Sequence, residues 1–364
     1  MDSTAENSSA GTAAAPDPIV ERLAALTGVI LFCGASDTGK TTLIQRVASA
    51  ALAQRRAVAI IDADVGQSNI GPPGAIGMSL FREAPDQFRV RRPDALSFVG
   101  STQPFGFFLE MVSGVCQLTH KALDAGADLA LVDTTGVAPT LGGLRLKEAK
   151  LRHLRPNHLA LIERRRELHP LAQFAQACEF CEVHRIPAPP GAHVKPAALR
   201  RAHRQQVFGD YFQGARVQRL SLRGLGISGT SLFSGRTLSP AALLRVSEML
   251  RAPALRAELT GDRLTVITAR APSKDGIAIL QQRFSRLQIR AHLPNITQGL
   301  LAGLEDGAGN LLDLCILQSC DFTNLIVTLA SPFTDLGAVR VLRIGALRLR
   351  PDGVEISSLR PGDL

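Results

Sequence analysis

The sequence predicts an α/β fold: a parallel sheet covered by helices on both faces, followed by a C-terminal antiparallel β domain. Three observations carry this expectation. Short apolar runs rich in branched residues alternate with stretches of helical spacing up to about residue 215. A Gly-rich segment, GASDTGKTT (34 to 42), stands between the first such run and the first helix. Beyond 215 the pattern changes to short strands separated by Gly, Asp, Asn and Pro. Alternation of apolar strands with helices indicates parallel strands buried on both faces. Closely spaced strands punctuated by turn residues indicate antiparallel pairing. A chain of 364 residues exceeds what one core usually organises. The expected division is a tail over 1–17, an α/β domain over 18–215 and a β-rich domain over 216–364.

The elements follow in order. The first 17 residues are dominated by Ala, Ser, Thr, Gly and Pro, which cannot build a core, and are expected to be disordered. They contain acidic residues and no apolar h-region, unlike a secretory signal. GVILFC (28 to 33), AVAIID (57 to 62), ALSFVG (95 to 100), DLALVDTTG (128 to 136), HLALIE (158 to 163) and VHRIPA (183 to 188) read as buried strands. Between them, 41–56, 110–127 and 142–156 have helical spacing, and so does 195–212 after them. In the last third, segments beginning at Asp262, Gly276, Gly299, Asn310, Asn324 and Ala338 read as strands, GIAILQQR (276 to 283) among them.

Bulk properties limit the function classes. Hydrophobic residues make up 45% and the mean hydropathy is +0.11, so the chain is globular. No apolar run approaches the ~18 residues needed to cross a bilayer, and no membrane partner is expected. The net charge of +9 and pI of about 9.8 favour a polyanionic partner. Only six of the 41 basic residues are lysine, however, so a compositional bias toward Arg accounts for the charge equally well. Cys178 and Cys181 form the only C-x-x-C, with His184 after it and His169 or His193 in reach along the chain. No second pair completes a four-ligand zinc site, and a structural zinc is not expected. Nothing demands an oxidising compartment, which makes the cytoplasm the expected one.

Four segments could carry chemistry. The first fits G-x-x-x-x-G-K-[ST] through Gly34, Gly39, Lys40 and Thr41, and its strand–loop–helix setting is the one this P-loop motif requires. Backbone amides of Gly34, Ala35, Ser36, Asp37, Thr38, Gly39 and Thr42 would cradle phosphates. Lys40 would reach the β and γ oxygens, and the Thr41 hydroxyl would ligate Mg²⁺. No guanine-reading N/T-K-x-D occurs, which favours ATP. The second is IIDADVGQSNIGPPG (60 to 74). Asp62 and Asp64 lie two apart at a strand end and share a face, suiting one to hold metal and the other to take an acceptor's proton. The third, VDTTGVAPTLGG (132 to 143), offers Thr134, Thr135 and Gly136 at a strand tip as an acceptor clamp, although an N-cap and a turn explain them as well. The fourth is the Arg-rich helix, whose Arg200, Arg201 and Arg204 could close over transferring phosphate. The rival cluster ERRREL (163 to 168) reads as solvated or acceptor-facing.

Together these segments, with FVGSTQP (98 to 104), LRPNHLALIE, the YFQG ending of the Arg helix, GLLAGLED and VRVLRIGALRL, resemble one family across roughly residues 27 to 349. It is the P-loop polynucleotide 5′-hydroxyl kinases, which include the kinase subunit of the eukaryotic pre-mRNA cleavage complex and the ribosomal-RNA-processing kinases. The resemblance implies transfer of the ATP γ-phosphate to the 5′-hydroxyl of RNA or DNA, with RNA the more expected partner, in RNA processing or repair. It implies that Lys40 and Thr41 hold ATP and Mg²⁺, with Asp62 and Asp64 at the metal and Asp64 as general base. Gln67, Thr134, Thr135 and Gly136 would bind the acceptor, and Arg200 and Arg204 would form the lid. The family's clasp is T-x-G-W, and here Val137 stands at the Trp position. The loop begins at residue 34, where larger eukaryotic members carry an extra N-terminal domain. Two other readings fit the same residues. A kinase of a small-molecule hydroxyl would leave oligonucleotides untouched, and an ATP-binding scaffold without turnover would be indifferent to Asp64→Asn.

Overall fold

The computed structural model describes residues 17–138, 140–190 and 195–360. The expected disordered tail thus falls outside the described residues except for Asp17, and His193 of the cysteine argument falls outside them too. Asp17 belongs to the fold: its carboxylate accepts from Ile19 N at 3.0 Å and caps helix α1 (Pro18–Ala24). Its other oxygen pairs with Arg46 at 3.1 Å.

The first half runs β1 (Gly28–Gly34), α2 (Lys40–Ala53), β2 (Val58–Ala63), β3 (Ala75–Phe81), β4 (Ala95–Phe98), α3 (Phe108–Asp124) and β5 (Leu129–Thr134). It continues with α4 (Leu141–Leu154), β6 (His158–Glu163), α5 (His169–Gln176), β7 (Glu182–Pro187) and α6 (Ala197–Phe212). Among the described residues the strands form one seven-stranded sheet in the order β4-β3-β2-β5-β1-β6-β7. All neighbours pair parallel except β3, which runs against both β2 and β4. β3 was not foreseen, because its apolar run AIGMSLF is broken by Gly77 and follows PPG, both turn signals. Alternate residues of β1 serve opposite faces, as the period of two requires. Val29, Leu31 and Cys33 join the core under α3, α4 and α5, while Ile30 and Phe32 join the core under α1 and α2. Burying a side chain the size of Leu31 or Phe32 contributes roughly 1.5–3 kcal/mol, and both are fully buried.

The second half corrects one expectation. GIAILQQR is helix α8 (Lys274–Arg283), not a strand. Ser273 Oγ accepts from Gly276 N at 3.0 Å and starts the helix, and the apolar positions beyond it pack Leu280 inward. With β10 (Arg236–Thr237), α7 (Pro240–Leu250), β11 (Ala254–Thr260), β12 (Arg263–Thr268) and β13 (Gln288–His292), α8 makes a small four-stranded α/β unit. Its β12 and β13 pair parallel across the helix. The rest is the expected antiparallel sheet, ordered β18-β17-β14-β15-β16-β8. Its strands are β8 (Arg216–Ser221), β14 (Leu300–Glu305), β15 (Leu311–Asp321), β16 (Ile326–Ser331), β17 (Val341–Leu349) and β18 (Glu355–Ser358). A short β9 (Gly226–Ser228) pairs parallel with β17.

The halves meet on a shared core in which Phe98, Phe208, Tyr211 and Phe212 pack against Leu301, Leu314, Ile316, Leu347 and Leu349. At its centre Asp313, with its side chain 6% exposed, accepts from Arg92 at 2.7 Å, from Tyr211 OH at 2.6 Å and from Leu314 N at 2.7 Å. Just past β4, the Gly100 carbonyl accepts from Ala346 N and Leu347 N at 2.9 and 3.1 Å. Backbones cross so closely there that a Cβ on Gly100 would lie 2.6 Å from the Gly345 Cα.

Candidate nucleotide and acceptor site

Parallel strands bring their carboxyl ends to one edge of the sheet, where ligands of such folds bind. The loop from β1 to α2 lies on that edge, and α2 points its N-terminus into it, a position that favours anions. Lys40 Nζ donates to Ala35 O at 2.8 Å and Thr38 Oγ1 to the same carbonyl at 3.0 Å, which folds the loop on itself. A cleft of about 680 Å³ opens above, lined by the loop, Gln45, Asp64, Gln67, Asn69, Arg89, Lys195, Leu199, Arg200 and His203. Ser36, Asp37, Thr38, Gly39, Lys40, Thr41 and Thr42 all line it. Asn69, Arg89 and His203 were not singled out from the sequence, where nothing local marks them.

The strand order sorts the carboxylates differently from the sequence expectation. Asp62 does not face Thr41. Its oxygens accept from Asn69 N at 2.6 Å, Ile70 N at 3.2 Å, Ser68 Oγ at 3.3 Å and Asp64 N at 3.1 Å, so it holds the turn after β2. The carboxylate at the loop is Asp133, at the end of β5 beside β1, which accepts from Thr41 Oγ1 at 2.6 Å. Asp133 is buried and its Oδ1 has no partner among the described residues. Asp64 lines the cleft, and its Oδ1 accepts from Gly66 N at 3.2 Å. Burial, followed by repulsion from Asp133 and Asp64, pushes the Asp62 carboxyl up to about 7. Burial raises Asp133 as well, against the pull of Lys40 and the Thr41 hydrogen bond. Asp133, with an orphaned inward oxygen beside the Thr41 hydroxyl, and Asp64 on the cleft wall offer oxygen donors of the kind Mg²⁺ takes. The residues present therefore fit that ion at Thr41 and Asp133.

The clasp segment is also redistributed. Thr134 is buried; its hydroxyl donates to Phe32 O at 2.7 Å and accepts from Lys147 Nζ at 3.1 Å, so it ties strands together and does not face an acceptor. The Thr135 hydroxyl is buried without a partner among the described residues, and its carbonyl accepts from Lys147 at 2.8 Å. Gly136 presses on the loop: a Cβ there would lie 2.2 Å from Ser36 Oγ and 2.6 Å from Ser36 N, so only glycine lets the segments touch. Lys147 and Lys150 turn the polar face of α4 inward, contrary to the usual solvated placement. Burial lowers both ammonium groups, Lys150 to about 7, and Lys150 Nζ has no hydrogen-bond partner among the described residues.

The two lid arginines part company. Arg200 Nη2 donates to Asp37 Oδ2 at 3.1 Å, and Lys195 N meets the same oxygen at 3.0 Å, so this end of α6 is latched to the loop. Arg204, one turn or about 6 Å further along the helix, is not brought to the loop. Its guanidinium is paired with Glu355 of β18, with Nη2 3.0 Å from Oε2. Arg164, from the cluster expected to be solvated or acceptor-facing, donates to Asp37 O at 2.8 Å and braces the loop from the β6 side.

Residues 34–214 match the family model described as mRNA cleavage and polyadenylation factor CLP1 P-loop. The chain is 29% identical over 330 residues to a polyribonucleotide 5′-hydroxyl-kinase of Pyrococcus furiosus, covering 91% of this chain and 90% of the relative. It is 26% identical over 332 residues to one of Methanocaldococcus jannaschii, covering 91% and 89%. Among solved structures, the wild-type Clp1p–Pcf11p complex superimposes with a TM-score of 0.57 over 91% of this chain and 77% of that one, at 13% identity, which shows a shared fold. Among the described residues no helix is long and apolar enough to cross a membrane. The phosphate loop, the strand order around it and these matches agree: residues 34–214 of the chain belong to the Clp1 P-loop family.

Proposed function

We propose that the protein is an ATP-dependent polynucleotide 5′-hydroxyl kinase acting on RNA ends in RNA processing or repair, in the cytoplasm. The observation that carries this reading is that Asp64 stands in the same cleft as Lys40, Thr41, Gln67 and Arg200. A carboxylate that can take a proton then faces a loop that can hold a triphosphate. The names of the archaeal relatives support the acceptor class, and the net charge of +9 suits a polyanion. In this reading Lys40 and the loop amides hold the β- and γ-phosphates. Asp64 takes the proton of the 5′-hydroxyl as its oxygen bonds to the γ-phosphorus, while the bond to the β–γ bridging oxygen breaks and ADP leaves. Mg²⁺, held by Thr41 and Asp133, would neutralise phosphate charge. Arg200 stabilises charge on the transferring group, Thr135 and Gly136 fix the edge of the acceptor site, and Lys147 positions them from behind. The kinase domain of this proposal runs over 18–215, and 216–364 supports it through the shared core.

The test is transfer of labelled γ-phosphate from ATP to a short 5′-hydroxyl RNA and its DNA counterpart. The expected result is label on RNA in preference to DNA, lost in Lys40→Ala and Asp64→Asn. No label on either, with ATP still bound, would overturn the proposal.

A further inference from the structure

We propose a second metal site, for a borderline transition ion such as Zn²⁺, formed by His158, Glu182 and His184 at the amino-terminal edge of the parallel sheet. This edge is opposite the phosphate loop, and the inference is independent of the kinase reading. Strand register brings the three together. His158 opens β6 and Glu182 opens β7 directly across from it; His184 follows two residues along β7 and so shares the face of Glu182. His184 Nε2 lies 3.2 Å from His158 Nδ1. A Glu182 oxygen lies 3.5 Å from His158 Nδ1, and the ligand atoms of all three lie within 4.8 Å of one another. Nitrogen ligands about 2.0–2.1 Å from a tetrahedral zinc sit roughly 3.3 Å apart, close to the separation seen between the imidazoles.

The backbone beneath the three is fixed in advance. Asn157 Oδ1 accepts from Val29 N at 2.9 Å, and Asn157 O accepts from Glu182 N at 2.9 Å, which locks the start of both strands. The two imidazole side chains are 14% and 4% exposed and the carboxylate is 66% exposed, so the ion would enter from the carboxylate side. Two imidazoles and a carboxylate suit zinc, cobalt or nickel better than Mg²⁺ or Ca²⁺, which prefer oxygen. The neighbouring Cys178 and Cys181 do not take part. Among the described residues, the ligand atoms that converge within 4.8 Å here are those of His158, Glu182 and His184, with neither sulfur among them. Bound metal would clip the edge strand β7 to β6.

The experiment uses the full chain, freed of any affinity tag and of bound metal. It is titrated with ZnCl₂ by calorimetry and with Co²⁺ by visible absorption, with Mg²⁺ in excess to fill the oxygen-ligand site. We expect one equivalent of Zn²⁺ bound, a tetrahedral Co²⁺ band, and a melting temperature raised by zinc, since an ion that binds only the folded state stabilises it. His184→Ala and Glu182→Gln should each weaken binding at least about tenfold, and Cys178→Ser should leave it unchanged. Glu182→Gln alters an exposed side chain and keeps the test valid should His184→Ala fold poorly. No binding with zinc in excess, or binding that survives Glu182→Gln and disappears in Cys178→Ser, would overturn the site.

Discussion

Buried charge is handled in opposite ways at the two ends of α6. At its C-terminal end Asp313 has every neighbour it needs: a guanidinium, a phenol and a backbone amide, with the Arg92 guanidinium also 4.8 Å from the Tyr211 ring centroid. At the loop end Asp133 Oδ1, the Thr135 hydroxyl and Lys150 Nζ are buried with no partner among the described residues. A satisfied buried charge fixes a junction, whereas an unsatisfied one costs stability. In the proposed reading, the contrast separates the part of the chain that holds the fold from the part that would receive a ligand.

The comparison can be broken most directly at Lys40. Lys40→Ala should reduce phosphoryl transfer by about 10³-fold while the melting temperature stays close to that of the parent. A large loss of stability instead would mean that the loop end is structural like the joint. Asp313→Ala should do the reverse. Leaving the buried Tyr211 hydroxyl and Leu314 amide without their acceptor should cost about 2 kcal/mol in urea unfolding, with little change in turnover per folded molecule. Next in size, Arg200→Ala should lower kcat about 10²-fold, with ATP affinity less affected. Arg204→Ala should reproduce Glu355→Ala in stability. Equal kcat losses for Arg200→Ala and Arg204→Ala would show that α6 swings further than the Glu355 pairing implies.

The smallest effect sharpens the comparison through pH. Lys150 is lowered from 10.5 to about 7 by burial and then by Lys147. Between those values the unfolded chain binds a proton that the folded protein does not, so stability rises with pH across that window. Below about 7 the lysine is charged in both states and its full burial penalty is felt. Lys150→Met should therefore stabilise by about 2 kcal/mol near pH 6, and the gain should shrink as pH rises toward 10.5. Thermal melts of both proteins across that range would check it, and a gain independent of pH would mean that Lys150 reaches solvent.

The strands and the loop were legible because each announces itself locally, as a short branched run or as a glycine spacing. What escaped depends on neighbours far along the chain. Asp62 and Asp133 read alike as acids at strand tips. Only the order β2-β5-β1 decides that Asp133 meets Thr41 while Asp62 holds its own turn. The apolar content of 276–283 suits a strand as well as a helix, and the Ser273 cap decides between them. Lysines on an amphipathic helix are ordinarily solvated; Lys147 and Lys150 are buried because α4 packs over the strand ends. Arg204 differs from Arg200 through a glutamate near the end of the chain. His184 was weighed in the sequence beside Cys178 and Cys181, while its observed neighbour His158 lies on the adjoining strand.

The crossing of Gly100 with Gly345 bears on how the chain is made. β4 is an outer strand of its sheet, and the segment just beyond it is held by the Gly74 carbonyl on one side and by β17, near the end of the sequence, on the other. During synthesis the first half emerges with that margin bare and with Phe98 lacking much of its cover. A bare strand margin invites pairing with other chains. A ribosome stalled before residue 345 would release a protein whose phosphate loop is complete and whose flank is adhesive. Fragments ending near residue 215 should thus be poorly soluble even though every residue assigned to phosphoryl transfer is present.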